Sequence, residues 1–403
     1  MLARLIHPLL AAGLTACAAL GPGGQSDTPG PVLLLGSGDG VVTVDRNDGS
    51  VLFRGAGIPS PTDWSMLFTA RADGGRTRLE VLDAAGAATL ATTSVPGQLD
   101  VRVASPEGSL VALMPPLPAG ASPWVPEARA ATTITVASPF QAEEPRRYVL
   151  EGNFEPEAFS ADGSTLFLIR YVPPMAPLGY RVAALDLSDG SVSPVGTAVK
   201  GVVETMSGTR LEQVASPDGS MLFTLYTTQG YTGVSHEDAA GFVHTLSLEE
   251  GWAHCIPLPE ELWGGDAEDQ AIAISPDGGR LYVVDTARGI VAAMDTASLE
   301  MTSTPAVGLV PASNSPTRAA IGPDGTLIVS SGSRVVSIDP ETFRPLDTWT
   351  FDAPVQALGA GARELLVAVP GAVHTVAGHG DVGHALIHAP VVEDLARVDM
   401  LDR

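Results

Sequence analysis

The phrase SPDG returns along this chain at a spacing that few architectures can hold. It stands as SPDG at Ser216 and Ser275, as SPEG at Ser105, as SADG at Ser160 and as GPDG at Gly322, with a blurred copy, SPTDWS, at Ser60. The residues in its second place, Pro61, Pro106, Ala161, Pro217, Pro276 and Pro323, lie 45, 55, 56, 59 and 47 residues apart. Each member of the phrase suits a tight turn. Ser bonds to backbone ahead of it, Pro sets φ, Asp tolerates the third position, and Gly takes a positive φ. The phrase therefore predicts a hairpin corner.

Short apolar runs such as DQAIAI and TRAAI precede the corner, and β-rich runs such as RLYVV and TLIVS follow it, as two paired strands require. A third run then follows, often ending in Asp: VVTVD at Val41, LEVLD at Leu79, VAALD at Val182, IVAAMD at Ile290 and RVVSID at Arg334. TITVA at Thr133, FVHTLSL at Phe242 and AVHTVA at Ala372 raise the number of third strands to eight. Fourth strands such as SVLFRG and MTSTPAVG complete the unit. Four short strands repeated at this period predict an all-β propeller of eight four-stranded blades, with seven as the alternative because the Ser60 corner is degenerate. A β-sandwich has no need of equivalent strands, and the strict alternation excludes helical repeats. The 44 Gly and 33 Pro suit many turns. PVLLLG, at Pro31, reads as a second strand with no first strand before it, whereas VEDLARVDML reads as a first strand with no corner after it. Pairing of the two predicts a closed ring without open edges.

The units resemble the YVTN family of bacterial surface propellers, whose blades carry an SPDG-like corner, then Tyr-Val-Thr-Asn, then a strand ending in Ile-Asp. The best match is SPDGGRLYVVDTARGIVAAMDTAS, with Tyr282, Val283, Val284 and Asp285 at the name-giving positions. The other blades depart further. The resemblance covers about Val32 to the C-terminus and implies the fold; it leaves function open, because this fold hosts unrelated tasks.

The N-terminus, MLARLIHPLLAAGLTAC, has one Arg, an apolar run and small residues before Cys17, which is the layout of a secretory signal peptide. LTAC, Leu14 to Cys17, resembles the lipobox of bacterial lipoproteins, and that resemblance implies cleavage before Cys17 and acylation of it. Residues 1–16 are then a signal peptide, 17–31 a lipidated cysteine with a Gly- and Pro-rich tether, and 32–403 one propeller domain. Ala18 after the cysteine implies, by the same resemblance, the outer membrane where the organism has one. The expected location is the cell envelope, with membrane contact through the lipid anchor only. A formal charge of −24 argues against nucleic-acid partners. The second of the two cysteines, Cys255, sits in the alternating run HCIPL and reads as a buried, inert thiol.

No HExxH, CxxC, GxSxG or phosphate-loop pattern occurs, and no cofactor is expected. Four histidines, His374, His379, His384 and His388, fall within 15 residues, but spacings of five, five and four match no zinc motif, so no metal site is assigned to them. DRNDGS, at Asp45, reads as a turn rather than a calcium loop. Antiparallel order sends the connections after second and fourth strands to one face. Three adjacent units carry long second-strand connections, from Pro115, Val172 and Thr228, and these hold Trp124, Met175, Tyr231 and His236. Trp263 joins them from a fourth-strand exit. Aromatic anchors among prolines are common in recognition surfaces. The sequence thus predicts a binding or assembly module of the cell envelope whose partner is a protein or glycan. The alternative is a lactonase- or hydrolase-like propeller enzyme with its site in the axial funnel.

Overall fold

A computed structural model describes residues 31–37, 40–85, 88–118, 127–198, 201–228, 239–264, 266–306, 308–309, 315–361, 363–376, 382–388 and 395–401. The strands form eight antiparallel four-stranded sheets, the blades of a β-propeller. Blade 1 takes Leu395–Leu401 as its first strand, followed by Val32–Ser37, Gly40–Asp45 and Val51–Gly55. Blade 2 runs through Ile58–Pro59, Met66–Asp73, Arg76–Asp83 and Thr89–Pro96, and blade 3 through Asp100–Ala104, Val111–Met114, Ala131–Ala137 and Arg146–Glu151. Blade 4 comprises Asn153–Phe159, Thr165–Val172, Gly179–Asp186 and Val192–Pro194; blade 5 comprises Thr209–Ala215, Met221–Thr227, Gly241–Ser247 and Ala253–Pro257. Blade 6 holds Gln270–Ile274, Arg280–Asp285, Ile290–Asp295 and Met301–Pro305, and blade 7 holds Arg318–Ile321, Leu327–Ser331, Arg334–Ile338 and Pro345–Thr350. Blade 8 is Ala357–Ala360, Leu365–Val369, Ala372–Val376 and Val382–His388.

The count is eight, and all eight expected third strands occupy that place. The ring closes as expected, because Leu395–Leu401 pairs antiparallel with Val32–Ser37, Val32 opposite Leu401 and Leu35 opposite Val398. The degenerate Ser60 corner follows a first strand of only two residues. Among the described residues no helix is long and apolar enough to cross a membrane.

Alternation explains why the second strands are apolar almost throughout. In blade 4, Leu166 and Leu168 pack toward blade 3, while Phe167 and Ile169 pack toward blade 5. Both faces of a blade are covered by neighbours, so both phases of the period-two pattern must be apolar. Apolar clusters of this kind sit at every boundary between blades, including that between blades 8 and 1, where Leu33 and Leu35 meet Leu366 and Val373.

Three of the corners share one hydrogen-bond pattern. Ser216 Oγ donates to Asp218 Oδ1 at 2.6 Å and accepts the Met221 N–H at 2.9 Å, while Asp218 Oδ1 also accepts the Ser220 N–H at 3.0 Å. The same bonds recur at Ser160 and Asp162, and at Ser275 and Asp277. Gly219 takes φ +73° behind them. The Asp that ends a third strand caps the next turn in turn. Asp186 Oδ1 accepts the Ser188 N–H at 2.7 Å, and Gly190 four residues on takes φ 78°. DRNDGS forms this same turn, with Asp45 Oδ1 accepting the Asn47 N–H at 2.7 Å.

Candidate functional site

Two regions gather the residues that could recognise another molecule. The first is the face carrying the long connections of blades 3, 4 and 5. These connections are joined by backbone: the Arg129 N–H donates to Pro174 O at 3.0 Å, linking blade 3's connection to blade 4's. Buried Asn153 sits beneath the junction, its Nδ2 donating to Glu127 O at 2.8 Å. Tyr180 and Met206 exchange backbone bonds of 2.8 Å, which ties blade 4's connection to the segment leading into blade 5. The Gly264 N–H reaches Ala239 O at 2.8 Å, joining the end of blade 5's connection to the residue after Trp263.

On this joined face Met175, Leu178 and Val202 are 60%, 73% and 52% exposed. Met175 is thus where the sequence placed it, on the surface. Trp263 is half-buried: its ring packs on the apolar cluster between blades 5 and 6, and its Nε1–H donates to Leu258 O at 2.9 Å. It braces the face from beneath. Trp124, Tyr231 and His236 lie outside the described residues, as does Cys17.

The second region is axial. First strands of most neighbouring blades contact one another around the axis, and those of blades 3, 4 and 5, with Arg129 from blade 3's long connection, set charged side chains together. Arg102 Nε lies 2.9 Å from Glu155 Oε1, and Arg129 Nη2 lies 3.8 Å from Glu155 Oε2. Arg210 Nη1 donates to Glu157 at 3.1 and 3.2 Å, and Gln213 Nε2 donates to the same carboxylate. Glu155 is 1% exposed, and neither of its oxygens has an aligned hydrogen-bond donor among the described residues. Burial pushes its carboxyl up to about 7 against the pull of Arg102 and Arg129, and Glu157 adds to the rise. Behind the cluster, burial and the nearby Arg210 charge bring His244 down to about 3, so its imidazole stays neutral. Its Nδ1 is 3.9 Å from Cys255 Sγ, a thiol that burial and Glu204 push upward, in keeping with an inert cysteine.

No family model matches the chain, and no curated protein does. Among solved structures, the chain is similar to the periplasmic gluconolactonase of Pseudomonas aeruginosa, with 18% identity, coverage of 92% of this chain and 99% of that one, and a TM-score of 0.46. It is similar to apo AztD from Citrobacter koseri, with 13% identity, coverage of 81% and 96%, and a TM-score of 0.46. It is also similar to the hydrazine synthase of Kuenenia stuttgartiensis, with 16% identity, coverage of 83% and 99%, and a TM-score of 0.43.

His374 meets Phe351 edge-on, ring centroids 5.4 Å apart. His384 and His388 fall on the strand Val382–His388, with His388 opposite Ala372 and Ala385 opposite His374, and His379 lies outside the described residues. Among the described residues no group of three or more His, Cys, Asp or Glu is placed to hold a metal ion. The axial cluster is not visible in the sequence, because Arg102, Glu155, Glu157 and Arg210 come from first strands some 50 residues apart and Arg129 from a connection. One cue was present: FEPEAF and RLEQVA carry charges in first strands, whereas the second strands LFLIR and LFTLY are apolar for four or more positions.

Proposed function

We propose that this chain is a lipid-anchored propeller of the cell envelope that binds a protein partner through the joined long connections of blades 3 to 5. One observation carries the reading: Met175, Leu178 and Val202 are exposed on a face whose connections are hydrogen-bonded to one another. Large exposed apolar residues on a braced surface are suited to association. Trp124 and Tyr231 belong to the same connections and would add aromatic anchors. The envelope location rests on the signal-like N-terminus and the lipobox resemblance at Cys17.

Location and binding are tested separately. Cys17→Ala should release the protein from membranes or leave its signal uncleaved; unchanged membrane association and mature mass would refute lipidation. Trp124→Ala should lower recovery of the partner from native envelopes by roughly thirtyfold, as loss of a buried aromatic anchor of about 2 kcal/mol requires. Recovery equal to wild type by a normally melting variant would remove Trp124 from the surface.

A further inference from the structure

A cavity of about 200 Å³ lies on the axial side of blades 2 to 5. Its polar end is formed by Arg102, Glu157 and Gln213, and its walls by apolar residues of the first strands and their neighbours, among them Ile58, Val103, Phe159, Ala215 and Leu222. Pro61, Thr62, Pro106 and Gly219 also line it, and all four belong to corners between first and second strands. Corners lie on the face opposite the long connections. The cavity lies toward the corners, away from the exposed Met175, Leu178 and Val202 of the proposed partner surface, although Arg102 also reaches Pro115 O at the base of blade 3's long connection; the two are tested with different variants.

Arg102 and Glu157 at its polar end belong to a buried charge cluster whose balance runs against that of the whole chain. Three guanidinium groups, Arg102, Arg129 and Arg210, face two carboxylates, Glu155 and Glu157, in a protein of formal charge −24. Arg102 spends Nη2 on Pro115 O at 3.0 Å and turns Nε to Glu155. Among the described residues its Nη1 has no partner. Glu157 is already bonded to Arg210 and Gln213, so it does not neutralise Arg102. A cavity with the Arg102 guanidinium at one end and aliphatic or aromatic walls along the rest matches a small anion with an apolar body.

We propose that the axial cavity binds a small aliphatic monocarboxylate, its carboxylate at Arg102 and its hydrocarbon chain against Val103, Phe159, Ala215 and Leu222. A carboxylate accepts charge-assisted N–H bonds that an alcohol of the same length makes more weakly, and an amine finds as its only lining carboxylate Glu157, already bonded to Arg210 and Gln213. The groups facing Glu155 are Arg102, Arg129, Glu157 and Tyr171, with Arg210 one contact further on. Glu155 is ionised above about 7 and neutral below it. Its protonation leaves the guanidinium groups less compensated, so carboxylate affinity should rise as pH falls from 8 to 6.

Isothermal titration with pentanoate, pentanol and pentylamine tests this. Wild type should bind pentanoate at least about tenfold more tightly than pentanol, with no binding of pentylamine. Ala215→Met, which fills the cavity and leaves every charge in place, should weaken pentanoate about tenfold or more. Glu155→Gln should bind pentanoate with an affinity that no longer changes between pH 8 and 6. Equal affinity for pentanoate and pentanol, no binding of pentanoate at about 10 mM, or a wild-type affinity that is flat with pH would overturn the proposal. The ligand comparison uses the wild-type chain, so it decides the matter even if a variant fails to fold.

Discussion

Asp218 shows how much work one residue type does in this chain. The Ser216 hydroxyl, with the Ser220 N–H, holds its carboxyl below the usual carboxylate range; Asp162 is held down by Ser160 and Asp277 by Ser275 in the same way. A carboxyl whose pKa is lower folded than unfolded adds stability above its unfolded value, near 3.9, and loses it as pH falls through the folded value. The chain should therefore lose stability on acidification from about pH 5 downward. The triple variant Asp162→Asn, Asp218→Asn, Asp277→Asn should show a flatter fall in melting temperature over that window. A fall as steep as that of wild type would mean that the corner carboxylates do not contribute. At Gly190, φ 78° disfavours any side chain, and an added Cβ would stand 3.3 Å from the Tyr148 ring, which would have to shift. Gly190→Ala should cost about 1 kcal/mol or more in denaturant titration, and an unchanged midpoint would contradict that.

At the scale of the element, the strand Leu395–Leu401 carries the most weight for its length, because it covers the edge of Val32–Ser37 and joins the two ends of the chain in one sheet. Deleting residues 395–403 should expose the edge beside Leu33 and Leu35 and lower the melting temperature by roughly 10 °C or more. Unaltered melting would mean that the ring is held by blade packing alone. Within a blade, Phe223 is fully buried between blades 5 and 6, and Phe223→Ala should cost about 3–5 kcal/mol. A loss under about 1 kcal/mol would show that the site collapses around the gap. Elements such as these were legible in the sequence because their causes are local. A corner is four adjacent residues, and strand alternation is set by the next residue but one. Arg102, Glu155, Glu157 and Arg210 were not legible as a cluster, since ring geometry alone brings them together. Trp263 looked like a free anchor because sequence shows its size and its loop but not the Leu258 carbonyl that fixes its ring.

The whole molecule has two unlike faces. Corners of one repeated phrase lie on one, and the second-strand connections of blades 3 to 5 lie on the other, with Met175 and Leu178 exposed there. The double variant Met175→Glu, Leu178→Glu places two carboxylates on that surface without touching a buried contact. Leu346→Glu, at an outer strand of blade 7 where Leu346 is 51% exposed, is the matched control elsewhere. The decisive measurement is quantitative recovery of the bound protein from native envelopes by each chain, after each is shown to melt normally. Wild type and Leu346→Glu should recover the same protein equally, and the Met175, Leu178 variant should recover at least about thirtyfold less. Equal recovery by all three would contradict a partner surface on the long connections of blades 3 to 5.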